Sequence, residues 1–274
     1  MLRSASRATL RGVGAQVSYA MRMGAASVTA RFRVPGRAPG DGGSKPFLVV
    51  ASDERQYWCK APNNPQGAMV PVNEQVVGRL ATLAGIAVCQ PTLVGIPGDL
   101  AGVEVCPGYV LEECVAHGSL AVEGAVEVRA NLSHRSEDDN ARRQAGYLVL
   151  HDWLWGGDDQ WLRVAANGNE YFSHDHGHYF PGGPNWTPDG LEAAKDQPHP
   201  SPSTAEGLDG DELDRLADRL DALDKGEIAA NVEGLPDDWP VSEREISAVV
   251  DFALYRAAGV AARTRILATT ARGA

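Results

Sequence analysis

Lys60 and Glu74 form the first pair in this 274-residue chain whose types and spacing could do chemistry. A lysine that closes a strand needs a carboxylate to steady its flexible stem before it can serve a phosphate. A glutamate in the first turn of the next helix can supply it. Just upstream lies a glycine-rich turn, Gly40-Asp41-Gly42-Gly43-Ser44. Such a turn can bring backbone N–H groups close to phosphate oxygens. It matches neither a Walker A sequence nor G-x-G-x-x-G, and alone it reads as an ordinary flexible loop. Farther along, Gly156-Gly157-Asp158-Asp159-Gln160 and Ser173-His174-Asp175-His176-Gly177-His178 flank the hairpin signal Asn167-Gly168. The two ends of a hairpin meet, so these acidic positions come together. One carboxylate, Asp158 or Asp159, can orient a hydroxyl nucleophile. The other, Asp175, can hold Mg²⁺ on phosphates. Trp153, Trp155, Trp161 and Phe172 lie around them and imply burial.

The histidines support a different chemistry. His174, His176 and His178, with Asp175 and the pair His151-Asp152, are residue types that ligate transition metals in hydrolases. On a regular strand the three histidines would share one face and Asp175 would point away. Gly177 opposes a regular strand there, and no H-E-x-x-H occurs.

Several elements must position these residues. Residues 26–34, 47–51 and 56–60 read as a β-meander with a long glycine-rich first turn. Asn73 is suited to cap a helix whose apolar face is Val76, Val77, Leu80, Leu83 and Ala84, with Gly85 ending it. Thr92 to Ile96 and Val103 to Cys114 read as strands, the second interrupted at Pro107-Gly108. Tyr147 to Trp155 reads as a buried helix, and 181–210 as a long loop. Leu213, Leu216, Leu220 and Leu223 mark an amphipathic helix. After the break Leu235-Pro236-Asp237-Asp238-Trp239-Pro240, Ser242 and Glu245 form a capping box for a final helix to about Leu267. The order is a β-rich half followed by a mostly helical half with an inserted hairpin, an α+β arrangement.

Composition narrows the function classes. At 43% apolar the chain is globular. No apolar run reaches the ~18–20 residues that span a bilayer. Residues 1–40 carry seven Arg and no Asp, Glu or Lys, which leaves 18 basic and 36 acidic residues in the remainder, a formal −18. So acidic a body argues against nucleic-acid binding. Residues 1–25 read as an Arg-rich disordered arm, or as a transit-peptide-like start. Cys59, Cys89, Cys106 and Cys114 make no C-x-x-C pair and read as reduced thiols, which places the protein in the cytoplasm.

The segments GGSKPFLV, YWCKAP, VNEQVVGRLATLAGI and QPTLVGI resemble the N-terminal lobe of HipA-like kinases. LHDWLWGGDDQWL and NGNEYFSHDHGHYF resemble their catalytic core, and LPDDWP with its capped helix resembles their C-terminal end. The resemblance spans about residues 28–267. It implies a two-lobed protein-kinase-like fold, with a nucleotide-binding lobe over 26–115 and a mainly helical lobe over 116–274. It further implies ATP, Mg²⁺ and phosphoryl transfer to a Ser or Thr hydroxyl on a protein or small molecule. Lys60 would contact phosphates and Glu74 would anchor it, near Gly42, Gly43 and Ser44. Glu112, Glu113 and Cys114 would lie at the hinge beside adenine. Asp175 would hold the metal, and Asp159 or Asp158 would be the catalytic aspartate, alignment of Asp152-Trp153-Leu154 favouring Asp159. The family's Asp-Arg pair and its following metal-binding Asn are missing. Gln160 is the nearest amide able to give an oxygen instead. That departure keeps open a pseudokinase, binding ATP with little transfer.

Overall fold

The computed structural model describes residues 26–35, 44–129 and 132–273. The candidate glycines Gly42 and Gly43, and the Arg-rich segment 1–25, lie outside the described residues. Strands β1 (Val28–Arg33), β2 (Phe47–Ala51), β3 (Gln56–Lys60), β4 (Pro91–Ile96) and β7 (Cys114–Leu120) close into a small barrel in the order β1-β2-β3-β7-β4. Only β1 and β4 run parallel; the other pairs are antiparallel. Side chains alternate across each strand. On β3, Tyr57 and Cys59 enter the barrel core with Phe47, Val49, Val94 and Ala116. Trp58 and Lys60 therefore take the other face. Lys60 pairs with His117 and Trp58 with Ser119 on β7, so those four share it.

The span expected as a strand interrupted at Pro107-Gly108 is broken there into a small hairpin, β5 (Glu104–Cys106) and β6 (Tyr109–Val110). Its turn runs through Gly108 at φ +81°. Strand β7 begins only at Cys114 and continues to Leu120, so the expected division at 115/116 falls inside it. Gly118 is required where β7 meets β4: a Cβ there would stand 2.5 Å from Val94 Cγ2.

Helix α1 (Val70–Ala84) starts earlier than Asn73. Pro71, which lacks an N–H, sits in the first turn where no intrahelical donor is needed. Asn73 is thus a buried residue within the helix rather than its cap, and Glu74 lies beyond the first turn. Gly85 closes α1 in the left-handed conformation, φ +75°.

The larger core joins α1 to helices α2 (Asn140–Leu154), α4 (Gly210–Asp221), α5 (Lys225–Val232) and α6 (Glu243–Gly273). The predicted stripe Leu213, Leu216, Leu220 and Leu223 is buried in it. Ser242 and Glu245 hydrogen-bond reciprocally at the start of α6. Strands β8 (Val126–Arg129), β9 (Gln160–Val164) and β10 (Glu170–Ser173) form a second sheet in the order β10-β9-β8. The β9–β10 pair is the hairpin expected around Asn167-Gly168, with Gly168 at φ +66°. Within 181–210, expected as loop, Thr187 caps a short helix α3 (Pro188–Ala194).

Candidate active site

Lys60 ends β3 and is almost fully buried, at 6% exposure. Its ammonium bridges two carboxylates, Glu74 Oε1 from α1 and Asp175 Oδ1 from the turn after β10. Burial opposes the lysine charge, but Asp175 and Glu74 outweigh it and raise the ammonium above its ordinary value. Burial alone would raise the Glu74 carboxyl. Lys60, then His117 and His176, hold it instead well below the usual carboxylate range.

Glu74 does more than pair with lysine. Its Oε2 accepts the backbone N–H of His176 at 2.9 Å and its Oε1 that of Gly177 at 3.0 Å. Asp175 sits in the left-handed region at φ 58°, a conformation that Asp tolerates at some cost. The two N–H groups gripped by Glu74 hold the chain in that shape. Ser44 Oγ donates to Asp175 Oδ1 at 3.4 Å, and its carbonyl accepts from Asn64 Nδ2 at 2.7 Å. The described end of the glycine-rich turn therefore reaches the same carboxylate as Lys60.

These groups line one cavity of about 250 Å³, together with an apolar side made by Pro46, Trp58, Leu120, Val122 and Leu162. A flat apolar slot opening onto a lysine and two carboxylates suits a nucleotide: a base on one side, phosphates on the other.

The acidic turn Gly156–Asp159 lies beside this cavity's rear turn. A Cβ on Gly157 would come within 2.2 Å of the His178 carbonyl oxygen. Asp159 Oδ1 is shut off from solvent with no hydrogen-bond partner, and His151 Nε2 stands 4.0 Å away. Asp158 is exposed, and its Oδ2 accepts from Gln160 Nε2 at 3.4 Å. Gln160 Oε1 is likewise buried and unpartnered.

The HipA-like kinase family model matches residues 36–180, just over half of the chain. The chain belongs to the HipA-like kinase family. Its fold is similar to that of the crystal structure of the Helicobacter pylori proinflammatory kinase CtkA, with a TM-score of 0.60 at 13% identity. That match covers 87% of this chain and 96% of the other. Among curated proteins none matches the sequence. Family and fold together put the chain among kinases, that is, phosphotransferases in general terms.

In this HipA-like kinase the structure brings together Ser44, Lys60, Glu74 and Asp175. It does not bring Glu112 and Cys114 to them. Cys114 pairs with Ile96 at the far end of β7, whereas Ser119, Leu120 and Val122, at the other end, line the cavity. The segment 112–114 expected at the hinge is thus not part of this cavity, which is bordered instead by Ser119, Leu120 and Val122. A strand running seven residues separates the two positions. The histidines diverge. His174 lines the cavity with Nε2 unpartnered, His176 meets Ser173 Oγ at 2.9 Å, and His178 meets Gln66 Oε1 at 3.1 Å. Asp152 turns away to Arg256 and Arg263. Among the described residues no three His, Cys, Asp or Glu side chains converge as an ion cage.

Sequence reasoning missed Trp58 and His117, because only the β3–β7 register reveals that they share the face of Lys60. His117 is neutral at physiological pH: burial pushes it down to about 4. The Gln75 amide, with its nitrogen donating to His117 Nδ1 at 2.8 Å and its oxygen accepting from Arg79, fixes the tautomer. Nε2 then carries the proton and donates to Ser119 Oγ at 3.0 Å. Also missed was the ring stack behind the acidic turn. His199 stacks on His151 and Trp155, and its Nε2 donates to the Gly156 carbonyl at 2.8 Å.

Proposed function

We propose that this protein transfers the γ-phosphoryl group of ATP, with Mg²⁺, to a Ser or Thr hydroxyl. One observation carries the reading: a buried lysine joins a helix glutamate to the aspartate of a glycine-containing turn, and the same glutamate holds that turn's backbone. In this reading the barrel with α1 forms a nucleotide lobe and the remaining helices with the β8–β9–β10 sheet form the second lobe. Trp58, Leu120, Val122 and Leu162 take the adenine. Lys60 and Ser44 take the phosphates.

The donor set fits Mg²⁺. The Asp175 partners Lys60 and Ser44 both lie on Oδ1, so Oδ2 is left for an ion. Gln160, the second expected ligand, is not among the residues that line the cavity. Mg²⁺ takes one or two protein carboxylates and borrows phosphate oxygens for the rest, so no closed cage of side chains is needed. When bound, it neutralises charge building on the phosphates. Asp159 is the base in our reading. Its side chain is partly exposed although Oδ1 is shut in, which leaves the other oxygen to accept the proton of the attacking hydroxyl, and the stack of His151, His199 and Trp155 fixes the turn that carries it. Asp158, exposed and turned to Gln160, is the alternative. The unpaired cysteines fit a reducing, cytoplasmic compartment.

Calorimetric titration of ATP, with Mg²⁺ and with chelator, tests the binding half. The parent binds ATP in a Mg²⁺-dependent manner, and folded Asp175→Asn loses that dependence. Equal binding by both proteins would refute the site. For the transfer half, Asp159→Asn keeps ATP affinity and loses roughly 10²–10⁴-fold in turnover, the scale of a positioned general base. Should Asp158→Asn carry that loss instead, the base is Asp158. A parent that binds Mg²⁺-ATP yet labels no hydroxyl would establish the pseudokinase reading, which the missing Asp-Arg pair motivates.

A further inference from the structure

We propose that Asn73 is a positioning residue for Asp175, setting the turn that presents the metal-facing carboxylate; this rests on the reading of Asp175 given above. Asn73 is fully buried, one residue before Glu74 on α1. Its Nδ2 donates to the carbonyls of Gly177 at 2.9 Å, Tyr179 at 3.2 Å and Gly183 at 3.2 Å. Its Oδ1 accepts from Trp186 Nε1 at 2.7 Å. One side chain thus holds a stretch that makes no strand ladder of its own.

The stretch needs holding. Asp175, Phe180, Gly182 and Gly183 all have positive φ, and two of them are not glycine. Left-handed backbone at non-glycine residues costs free energy and persists only where surroundings over-determine it. Adjacent side chains of α1 supply complementary halves of that restraint. Glu74 takes the N–H groups of His176 and Gly177; Asn73 takes carbonyls from Gly177 onward. An amide is the side chain that does this, since it donates and accepts at once. Asp would oppose three carbonyls with a carboxylate, and an apolar residue would leave them unpaired.

The grip is referenced to the helical body. The Leu83 and Gly85 carbonyls at the end of α1 accept from Arg219 Nε at 3.2 Å and Arg215 Nη2 at 3.3 Å. Arg79 donates to the Glu233 carbonyl at 2.8 Å. With α1 braced at its far end, Asn73 and Glu74 set Asp175 against a fixed frame.

The test measures ATP affinity against Mg²⁺ concentration and in chelator, for the parent, Asn73→Ala and Trp186→Phe. The last keeps an aromatic ring and removes only the donor to Asn73 Oδ1. We expect Asn73→Ala to raise the Mg²⁺ concentration needed by about tenfold or more, the scale of residues that orient metal ligands. Chelator-measured ATP affinity should stay within about threefold, and Trp186→Phe should shift the Mg²⁺ requirement in the same direction by less. Amide exchange over 177–183 should also quicken in metal-free Asn73→Ala. Unchanged Mg²⁺ dependence in folded Asn73→Ala overturns the proposal. So do equal losses with and without Mg²⁺, which would mean general damage. If Asn73→Ala does not fold, Trp186→Phe decides by the same criteria. A parent whose ATP binding ignores Mg²⁺ refutes the reading of Asp175 itself, and the positioning role with it.

Discussion

At the scale of single residues, Lys60 is a buried cation between a buried carboxylate, Glu74, and a half-buried one, Asp175, which sets two expectations. Removing it strands Glu74 and Asp175 without their counter-charge. Breaking a buried pair from one side costs roughly 3–5 kcal/mol. Lys60→Ala should therefore lower the urea midpoint as well as ATP affinity. Adding Glu74→Gln should recover part of the stability, because it removes one stranded charge. A double-mutant cycle in urea measures this coupling, and strictly additive losses would show that the pair is not buried as described. The histidines give the second expectation. Burial holds both His117 and His176 down at about 4, against an ordinary value of 6.5. Between those limits the unfolded chain takes protons that the fold refuses. Their contribution is fully present above pH 6.5 and is lost as pH falls toward 4, at up to about 1.4 kcal/mol per pH unit for each ring. Glu74, held low by Lys60, adds a further loss as pH falls below the carboxylate range. Urea midpoints at about pH 7.5 and about pH 5 should differ, and His117→Asn should flatten the difference. A midpoint independent of pH over that interval would contradict neutral, buried rings. That Lys60, Glu74 and Asp175 come together follows from a strand, a helix and a hairpin that each carry clear local signals. Trp58 and His117 were not legible in the sequence, since their side of the barrel depends on which strands pair.

At the scale of elements, close approaches explain where glycine is required. Gly157 lies against the His178 carbonyl, so the acidic turn and the Asp175 turn meet with no room for a methyl group. Gly157→Ala must push them apart. The expected result is a turnover loss of about 10²-fold, the effect of misplacing reacting groups by an ångström, with smaller change in chelator-measured ATP affinity. Single-turnover kinetics beside calorimetry separates the two. Full activity in Gly157→Ala would show that the turns are free to move independently. The β9–β10 hairpin could be read from Asn167-Gly168, and helix α4 from its leucine stripe. Strand β7 could not: Cys-Val-Ala-His-Gly-Ser-Leu breaks the apolar alternation, because His117 and Ser119 face a cavity rather than water or core. The start of α1 was misjudged for a related reason. Asn73 looks like a cap by type, but it spends its hydrogen bonds on the 177–186 segment instead.

At the scale of the whole molecule, the segment before α6 returns to the barrel. Trp239, from the break before α6, donates its indole N–H to the Val115 carbonyl on β7 at 2.8 Å. With the arginines that brace α1, this ties the barrel to the helical body at several points away from the cavity. The pre-closed Lys60–Glu74–Asp175 chain sits between those ties. The most direct test of the account incubates the parent and Asp175→Asn with γ-labelled ATP and Mg²⁺, and follows label into Ser and Thr hydroxyls of the protein itself and of added protein substrates. The account predicts Mg²⁺-dependent labelling by the parent and none by folded Asp175→Asn. Labelling that survives Asp175→Asn at the parent's rate, or a parent that neither binds nor cleaves ATP, would contradict it.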